Sequence, residues 1–377
     1  MIKDNSAIIK KIVWVTPDCF VDCDISLIPK ILRGYKIHWI VLFKKNDNRF
    51  KEDDFNTLMN ENKNLVITFI YNYHRERDPR SSLFYWKIVK VVMLEKPDLI
   101  YLNMVPYSPW QLPLFYALPK KKTIVTAHQG RVHEGMGHYR YYNFFRDLYY
   151  GRFKNVNMFS KSQCEYFKMI YPSSKVYQFL LGLKDYGSPT NIRPTSGKIR
   201  FLAFGAINHT KNLDLLIESA CMLHERGVGN FVVSINGICN NWDFYKSMIK
   251  YPEIFELNIR LIQNEEIPNL FNGAHYLVQP YRVVSQSGPT KVAFRYNLPV
   301  LCSNLPGFTD EVLDGVNGYY FEKGNAKDLA DKMQMLLDNH LNNYQSLLEK
   351  EKKYTEMFYS VERLVEQYIN MFTEVSK

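Results

Sequence analysis

From Ile12 onward the chain alternates short apolar runs with stretches of helical periodicity. IVWV, IHWIVLF, LVITFI, LIYLN and TIVTA are separated by ISLIPKILRG and by a helical stretch near residues 82–95. Short apolar runs spaced by helices predict strands of a parallel sheet covered on both faces. The rhythm restarts after residue 198. IRFLAF leads into KNLDLLIESACMLHERG, where Leu213, Leu216, Ile217, Ala220 and Leu223 fall on one helical face, and FVVSING, IRLI, YLVQPY, PVLC and GYYF follow as strands. Near the end, FYSVERLVEQYINMF spaces Val361, Leu364, Val365, Tyr368 and Met371 as one apolar stripe, which predicts an amphipathic helix.

Between the two rhythmic halves, GLKDYGSPTNIRPTSG (residues 182–197) is rich in Gly, Pro, Ser and Thr and has no apolar period, the composition of a linker. At 377 residues the chain exceeds what one core usually serves, so two domains are expected. Two doubly wound α/β domains joined in this way are expected to bind ligands at the carboxyl ends of their strands, across a cleft.

Composition narrows the class. Apolar residues make up 46% and charged residues 23%, as in globular proteins. The 48 basic and 38 acidic residues leave a net charge of +10, which favours anionic partners: nucleotides, acidic lipid or nucleic acid. Six cysteines without metal or redox spacing fit reduced thiols; Cys19 and Cys23, the one close pair, have three residues between them where redox motifs have two. No run of about 18 apolar residues is present, and the N-terminal lysines precede too short an apolar stretch for a signal peptide. The expected location is cytoplasmic.

Two loops carry candidate chemistry. In SQSGPTKVAFRYNLPVLCS, Ser287, Gly288 and Pro289 give a capping hydroxyl, a bare backbone and a proline at the first helical position, together a helix N-terminus. Such an end offers unpaired N–H groups and partial positive charge to an anion such as phosphate. FLAFGAINHTKNLDLL repeats the design, with a strand ending at Gly205 and Lys211 just before a helix, where lysine suits a diphosphate. Taken singly, each loop is equally an ordinary strand-to-helix turn with a solvated lysine.

The order FGAINHTKNLDLLIESA, EIPNLFNGAHYLVQPY, then SQSGPTKVAFRYNLPVLCSNLPGFTDEVLDGVNGYYFEKGNAKDLADKM resembles the nucleotide-sugar-binding half of the family 4 (group 1) retaining glycosyltransferases, most strongly over residues 199–340. That resemblance implies the GT-B architecture, two Rossmann-like doubly wound parallel-sheet domains facing each other across a cleft. It implies an acceptor-binding domain over 1–184, a linker over 185–197, a nucleotide-sugar domain over 198–354, and a C-terminal helix over 355–377 that crosses back to the first domain. Lys211 matches the family's diphosphate lysine, and Gly205, Asn208, Ile262, Gln286, Ser287, Gly288 and Thr290 complete the implied donor site. The family's arginine in the first loop falls on Ala206, and its two glutamates, eight apart, fall on Val284 and Val292.

In the first domain, YLNMVPYSPW and TIVTAHQGRVHEG resemble the family's counterpart. Thr126, His128 and His133 match its Thr-x-His and following histidine. His128 would sit against the transferred sugar as a catalytic residue beside Lys211, with His133 and Arg131 on the acceptor side. Without the resemblance, a histidine after a strand is as readily structural. Gln129 stands where an aspartate is often found, and TPDCFVDCD replaces the usual glycine-rich loop after the first strand.

The implied reaction is retaining transfer from a nucleotide-diphosphate sugar to a glycan or lipid-linked acceptor in bacterial surface polysaccharide assembly. Lys211 and the two helix N-termini would stabilise the leaving diphosphate electrostatically, so neither cofactor nor divalent metal is expected. Residues 131–159 mix arginine and lysine with many tyrosines and phenylalanines, and Lys120–Lys122 lie nearby. Such a stretch fits a core helix with solvated arginines, an anionic membrane interface, or stacking on single-stranded nucleic acid; with the resemblance, peripheral contact with the inner face of the cytoplasmic membrane is the functional choice, and no nucleic-acid partner is expected. Two other classes stay open: a catalytically inert GT-B-shaped binding or scaffolding subunit, and a nucleotide-sugar epimerase on the same architecture.

Overall fold

The computed structural model describes residues 10–45, 48–106, 108–130 and 139–377. The chain divides into two compact units, the first made of Met1–Gly182 and Val361–Lys377, the second of Leu183–Ser360.

The first unit is built on seven strands, β1 (Lys10–Pro17), β2 (Tyr35–Lys44), β3 (Leu65–Asn72), β4 (Leu99–Leu102), β5 (Thr123–Ala127), β6 (Asn155–Met158) and β7 (Lys175–Gln178). Every pairing is parallel, in the order β3-β2-β1-β4-β5-β6-β7. Because side chains alternate across a strand, β1 feeds two cores: Ile12 and Trp14 enter one face, Val13 and Val15 the other. Helices α1 (Ser81–Glu95), α2 (Leu112–Ala117), α3 (Tyr139–Arg152) and α4 (Lys161–Ile170) cover the Val13 face through Phe84, Ile88, Leu114, Tyr149 and Phe167. The Trp14 face is covered by the turns Val21–Asp24 and Ile28–Ile31 and by the C-terminal helix, whose Leu364, Tyr368, Met371 and Phe372 are buried there.

The second unit has six parallel strands, β8 (Ile199–Phe204), β9 (Phe231–Asn236), β10 (Phe255–Asn258), β11 (Tyr276–Gln279), β12 (Val300–Ser303) and β13 (Gly318–Phe321), in the order β10-β9-β8-β11-β12-β13. Its longer helices are α5 (Leu213–Glu225), α6 (Gly288–Arg295), α7 (Ala326–Asp338) and α8 (His340–Tyr359), and α9 (Val361–Val375) returns to the first unit. The segment 185–197 packs within the second unit; Arg193 donates to the carbonyls of Asn297 (2.7 Å) and Tyr296 (2.8 Å).

Several expectations need correction. IRLI is not a strand: the edge strand β10 is FELN, four residues earlier, and Ile262 lies buried in the coil that follows. YLVQPY stops pairing at Gln279 because Pro280 has no N–H to give. NVNM and KVYQ are strands β6 and β7 that apolar runs do not reveal, since Asn, Lys and Gln occupy half their positions. Residues 355–377 are not one helix but the end of α8 and all of α9, broken at Ser360. No helix among the described residues is long and apolar enough to cross a membrane.

Candidate functional site

Each sheet reverses its strand order at one point, between β1 and β4 in the first unit and between β8 and β11 in the second. Ligands of open α/β sheets bind outside the carboxyl ends of the strands at such a switch point. In the second unit that place holds both loops singled out from the sequence.

Gly205 leaves β8 at φ +112°, and Gly237 leaves β9 at φ +149°. A Cβ on Gly237 would fall 1.9 Å from the carbonyl oxygen of Gly205, so only glycine lets the two strand ends approach. Beyond Gly205 the chain makes a tight turn over His209–Lys211. Asn208 holds it, its Oδ1 accepting from the Thr210 N–H (3.0 Å) and the Thr210 hydroxyl (2.6 Å). Asn212, left-handed at φ +54°, then starts α5. Lys211 Nζ stands 3.8 Å from the centroid of the Tyr281 ring, a cation–π contact.

Tyr281 links this turn to the second loop through Gln279, the last residue of β11. Buried Gln279 donates from Nε2 to the Tyr281 hydroxyl (3.0 Å) and to Ser287 Oγ (2.6 Å), and its Oε1 accepts from the Thr290 hydroxyl (2.6 Å). Ser287 Oγ also accepts from the Thr290 N–H at 3.3 Å and so caps α6. A single hydrogen-bonded chain therefore runs from the Lys211 contact to the helix cap. Thr290 is buried with its hydroxyl proton committed to Gln279, so its side chain fastens the loop. Arg282 adds a second tie: its N–H donates to the Thr210 carbonyl (2.9 Å), Nε to the His209 carbonyl (3.1 Å), and its guanidinium pairs with Asp214 at 2.5 Å.

Two buried polar atoms of the same loop, Ser285 Oγ and Gln286 Nε2, have no hydrogen-bond partner. A buried polar group left unpaired costs about 1–3 kcal/mol, a cost that an incoming ligand removes. At the mouth of α6, a Cβ on Gly288 would lie 3.5 Å from Lys184 Nζ. Lys184 is thus a cation at the helix N-terminus, and the sequence hid it inside a segment that reads as linker. Val292, at one glutamate position, is buried on α6, and Val284 is half-buried in the loop.

In the first unit, His128 follows β5 and is half-exposed. Its Nε2 is 2.9 Å from Asn103 Oδ1, just past β4, and Asn103 Nδ2 donates to Asp24 Oδ2 at 3.0 Å. Since the amide nitrogen of Asn103 is given to the carboxylate, its oxygen faces the imidazole and Nε2 carries the proton. Asp24 also accepts from Trp14 Nε1 (2.9 Å) and the Thr16 hydroxyl (2.6 Å), and burial pushes its carboxyl up to about 6 against these bonds. Phe20 stacks on the imidazole from the other side. Phe20 and Asp24 both come from TPDCFVDCD, so the segment standing in place of a glycine-rich loop is what positions His128. Thr126 is buried and donates to the Tyr101 hydroxyl (3.2 Å), an internal role. Arg131 and His133 lie outside the described residues. Beside Phe20, at the ends of β1 to β4, is a cavity of about 200 Å³ lined by Asp18, Lys44, Asn72, Glu76 and Met104 among others.

Comparison with known proteins agrees with this layout. Residues 190–356 match the family model of glycosyl transferases group 1. None of the curated proteins matches the chain. Among solved structures, a glycosyltransferase from Rickettsia africae superposes with a TM-score of 0.70 at 15% identity, over 98% of this chain and 99% of that one. Anabaena HepE, crystallised with UDP and glucose, gives 0.69 at 14% identity over 97% and 100%. A variant of S. aureus TarM, in complex with fondaparinux, alpha-GlcNAc-glycerol and UDP, gives 0.71 at 13% identity over 97% and 100%. At such identities these structures establish the fold alone, and the family match is confined to residues 190–356. Residues 190–356, which carry both loops of the candidate donor site, thus match the group 1 glycosyl transferases, and the chain as a whole has the two-sheet α/β fold of the GT-B glycosyltransferase structures on which it superposes.

Proposed function

We propose that this protein transfers a sugar from a nucleotide-diphosphate sugar to a glycan or lipid-linked acceptor, with retention at the anomeric carbon and without a divalent metal, in the assembly of a bacterial surface polysaccharide. The observation that carries the donor site is the bonded chain Lys211–Tyr281–Gln279–Ser287, ending at a capped helix beside two unpaired buried polar atoms. UDP in the HepE and TarM complexes supports a uridine diphosphate donor.

In this reading the diphosphate lies against the N-terminus of α6, with Lys211 and Lys184 as its cations and the Ser285 hydroxyl and Gln286 amide as further donors. Lys184 takes the place of the arginine that Ala206 lacks. As the bond from the anomeric carbon to the diphosphate oxygen breaks, negative charge grows where these groups point. The acceptor hydroxyl forms the new bond on the same face and passes its proton to the departing phosphate oxygen. His128, held by Asn103 and Phe20, orients the sugar, and the cavity beside Phe20 receives the acceptor. Reduced thiols and the protein's charge fit a cytoplasmic site of action.

Thermal shifts with a panel of UDP-, GDP- and other nucleotide sugars test the donor site. One donor stabilises the wild type, the effect is lost in Lys211→Ala, and transfer yields a product of unchanged anomeric configuration in EDTA. A second reading, an inert GT-B-fold binding or scaffolding subunit, is favoured by Val284 and Val292 standing where the family has glutamates. Donor binding without any transfer or hydrolysis would select it.

A further inference from the structure

The cavity beside Phe20 lies where the first sheet reverses its strand order. Pro17 ends β1, Lys44 ends β2, Asn72 ends β3 and Met104 stands just past β4, and all four line it. Open α/β sheets bind ligands at that place. The cavity measures about 200 Å³. Since a cavity of about 150 Å³ already takes one six-membered ring, this one suits a single ring and little more.

Its walls divide by chemistry. Phe20, Phe84 and Met104 supply apolar surface. The polar groups are mostly acceptors. Gln111, 2% exposed, spends its amide hydrogens on the Tyr85 hydroxyl (3.3 Å) and the Val105 carbonyl (3.2 Å), and its Oε1 has no hydrogen-bond partner. Tyr85 in turn donates to Glu76 Oε2 (3.2 Å), so the line from Gln111 ends in a carboxylate. Asp18 is a second carboxylate, its oxygens accepting from the N–H groups of Arg49 (2.7 Å) and Phe50 (2.9 Å). Ionised carboxylates only accept, at about four positions each. The amides of Asn48 and Asn72 are engaged locally, by the backbone of Lys44 and by His74 and Ser81. Among the described lining residues two carboxylates thus stand against one cation, Lys44. In a chain of net charge +10 this is a local excess of negative charge.

We infer that this cavity binds one uncharged hexopyranose ring and, granted the transferase reading above, that this ring is the terminal sugar of the acceptor glycan. A pyranose carries hydroxyl donors around its rim, which the Gln111 oxygen and the carboxylates of Asp18 and Glu76 accept. Its C–H face packs on Phe20 and Phe84, an apolar wall with a few convergent polar groups being the usual make-up of a small-ligand site. A sugar phosphate, a uronic acid or a lipid phosphate brings acceptors and negative charge instead. It would meet two carboxylates in a partly desolvated pocket, with Lys44 alone to offset them. Of the two acceptor types proposed above, the walls therefore select the sugar end of a glycan over the phosphate of a lipid carrier, although the protein as a whole is basic.

The test is an NMR titration of the full-length protein, carrying isotope-labelled methionine methyls, with the methyl glycosides of glucose, galactose and mannose, and with methyl glucuronide and glucose 6-phosphate as the anionic counterparts. No donor is present, so the result stands apart from sugar transfer. The Met104 methyl, assigned with Met104→Leu, shifts with at least one neutral hexoside and needs at least about tenfold more of either anion. Gln111→Met weakens the neutral sugar about tenfold. Asp18→Asn/Glu76→Gln, which keeps the shape of the wall, narrows the gap between neutral and anionic sugars. A Met104 methyl that no neutral hexoside moves overturns the inference, and so do anions that bind as well as the neutral sugars or a gap that the double variant leaves unchanged. Sugar transfer to a phosphorylated acceptor in preference to a neutral one would also overturn it, with the transferase reading intact. Hexoside binding at Met104 without any transfer would instead uphold the ring site and remove the transferase reading.

Discussion

Phe20 lies flat on His128, their ring centroids 4.0 Å apart and their planes 7° from parallel. Together with the Asn103 bond this leaves the imidazole little freedom to rotate, and a catalytic group displaced by about 1 Å can cost on the order of a hundredfold in rate. Asn103→Leu and Phe20→Leu are therefore expected to lower kcat for sugar transfer by about ten- to a hundredfold while changing the KM for donor little. In a His128→Ala background neither substitution lowers the rate further, because both act through the imidazole. Initial rates of the single and double variants check this.

Gln279 is expected to be the most sensitive residue of the donor site although it touches no ligand in the proposed arrangement. Gln279→Leu leaves the Thr290 hydroxyl without its buried acceptor and removes the amide that bridges Ser287 Oγ and the Tyr281 hydroxyl, at a cost of about 1–3 kcal/mol. It should also uncouple Lys211's turn from the α6 cap, so donor-induced stabilisation falls along with the melting temperature. Lys184→Ala, by contrast, weakens donor binding about tenfold through the loss of one charge-assisted contact of roughly 1.5–3 kcal/mol, and leaves the Gln279 network in place. Calorimetric titration with the preferred donor separates the two.

Glu351 sits fully buried on α8 with neither carboxylate oxygen hydrogen-bonded, and burial drives its carboxyl well above the usual carboxylate range, opposed by the charge of Arg193. A carboxyl raised in the folded state holds its proton there and releases it on unfolding, so its stabilising contribution is complete below the unfolded value near 4.5 and is lost as pH rises above it. Glu351→Gln should gain stability relative to the wild type as pH climbs from about 4.5 towards neutrality. Asp24, pushed up to about 6 by burial, has the same sign within a window from 3.8 to about 6, and both proteins share it. Melting temperatures of the pair across this range give the difference directly.

Lys291 and Glu311 form an ion pair buried in the second unit, with the Tyr359 hydroxyl 3.0 Å from the ammonium. Removing one charge leaves the other stranded, so Glu311→Leu is expected to cost about 3–5 kcal/mol. Lys291→Met/Glu311→Leu should recover most of that loss, since burying two charges is itself expensive. Urea unfolding of the three proteins reads the coupling.

Much of this was legible in the sequence, for identifiable reasons. Strands such as IVWV and IRFLAF are buried on both sides and appear as unbroken apolar runs, while Ser287-Gly288-Pro289 announces a helix start through local chemistry alone. NVNM and KVYQ escaped because polar residues hold half of their four positions, in β6 inside the sheet as in β7 at its edge. Asn103, Gln279 and Lys184 escaped for another reason. Their roles depend on partners up to 104 residues away, which no local pattern encodes. Asp24 reads as one acid in an unremarkable segment until β4 and β5 bring Asn103 and His128 alongside it.

The first unit is discontinuous in the chain, and that ordering has a consequence for how the protein comes into being. Its core on the Trp14 face is finished by Leu364, Tyr368, Met371 and Phe372, which are synthesised only after the whole of the second unit. Domains commonly fold in the order in which they emerge, but here the earlier one must wait with Trp14 and Tyr101 uncovered while the later one closes first. The second unit is thus the part that matures on its own schedule, and the first reaches its final packing only when the last helix arrives.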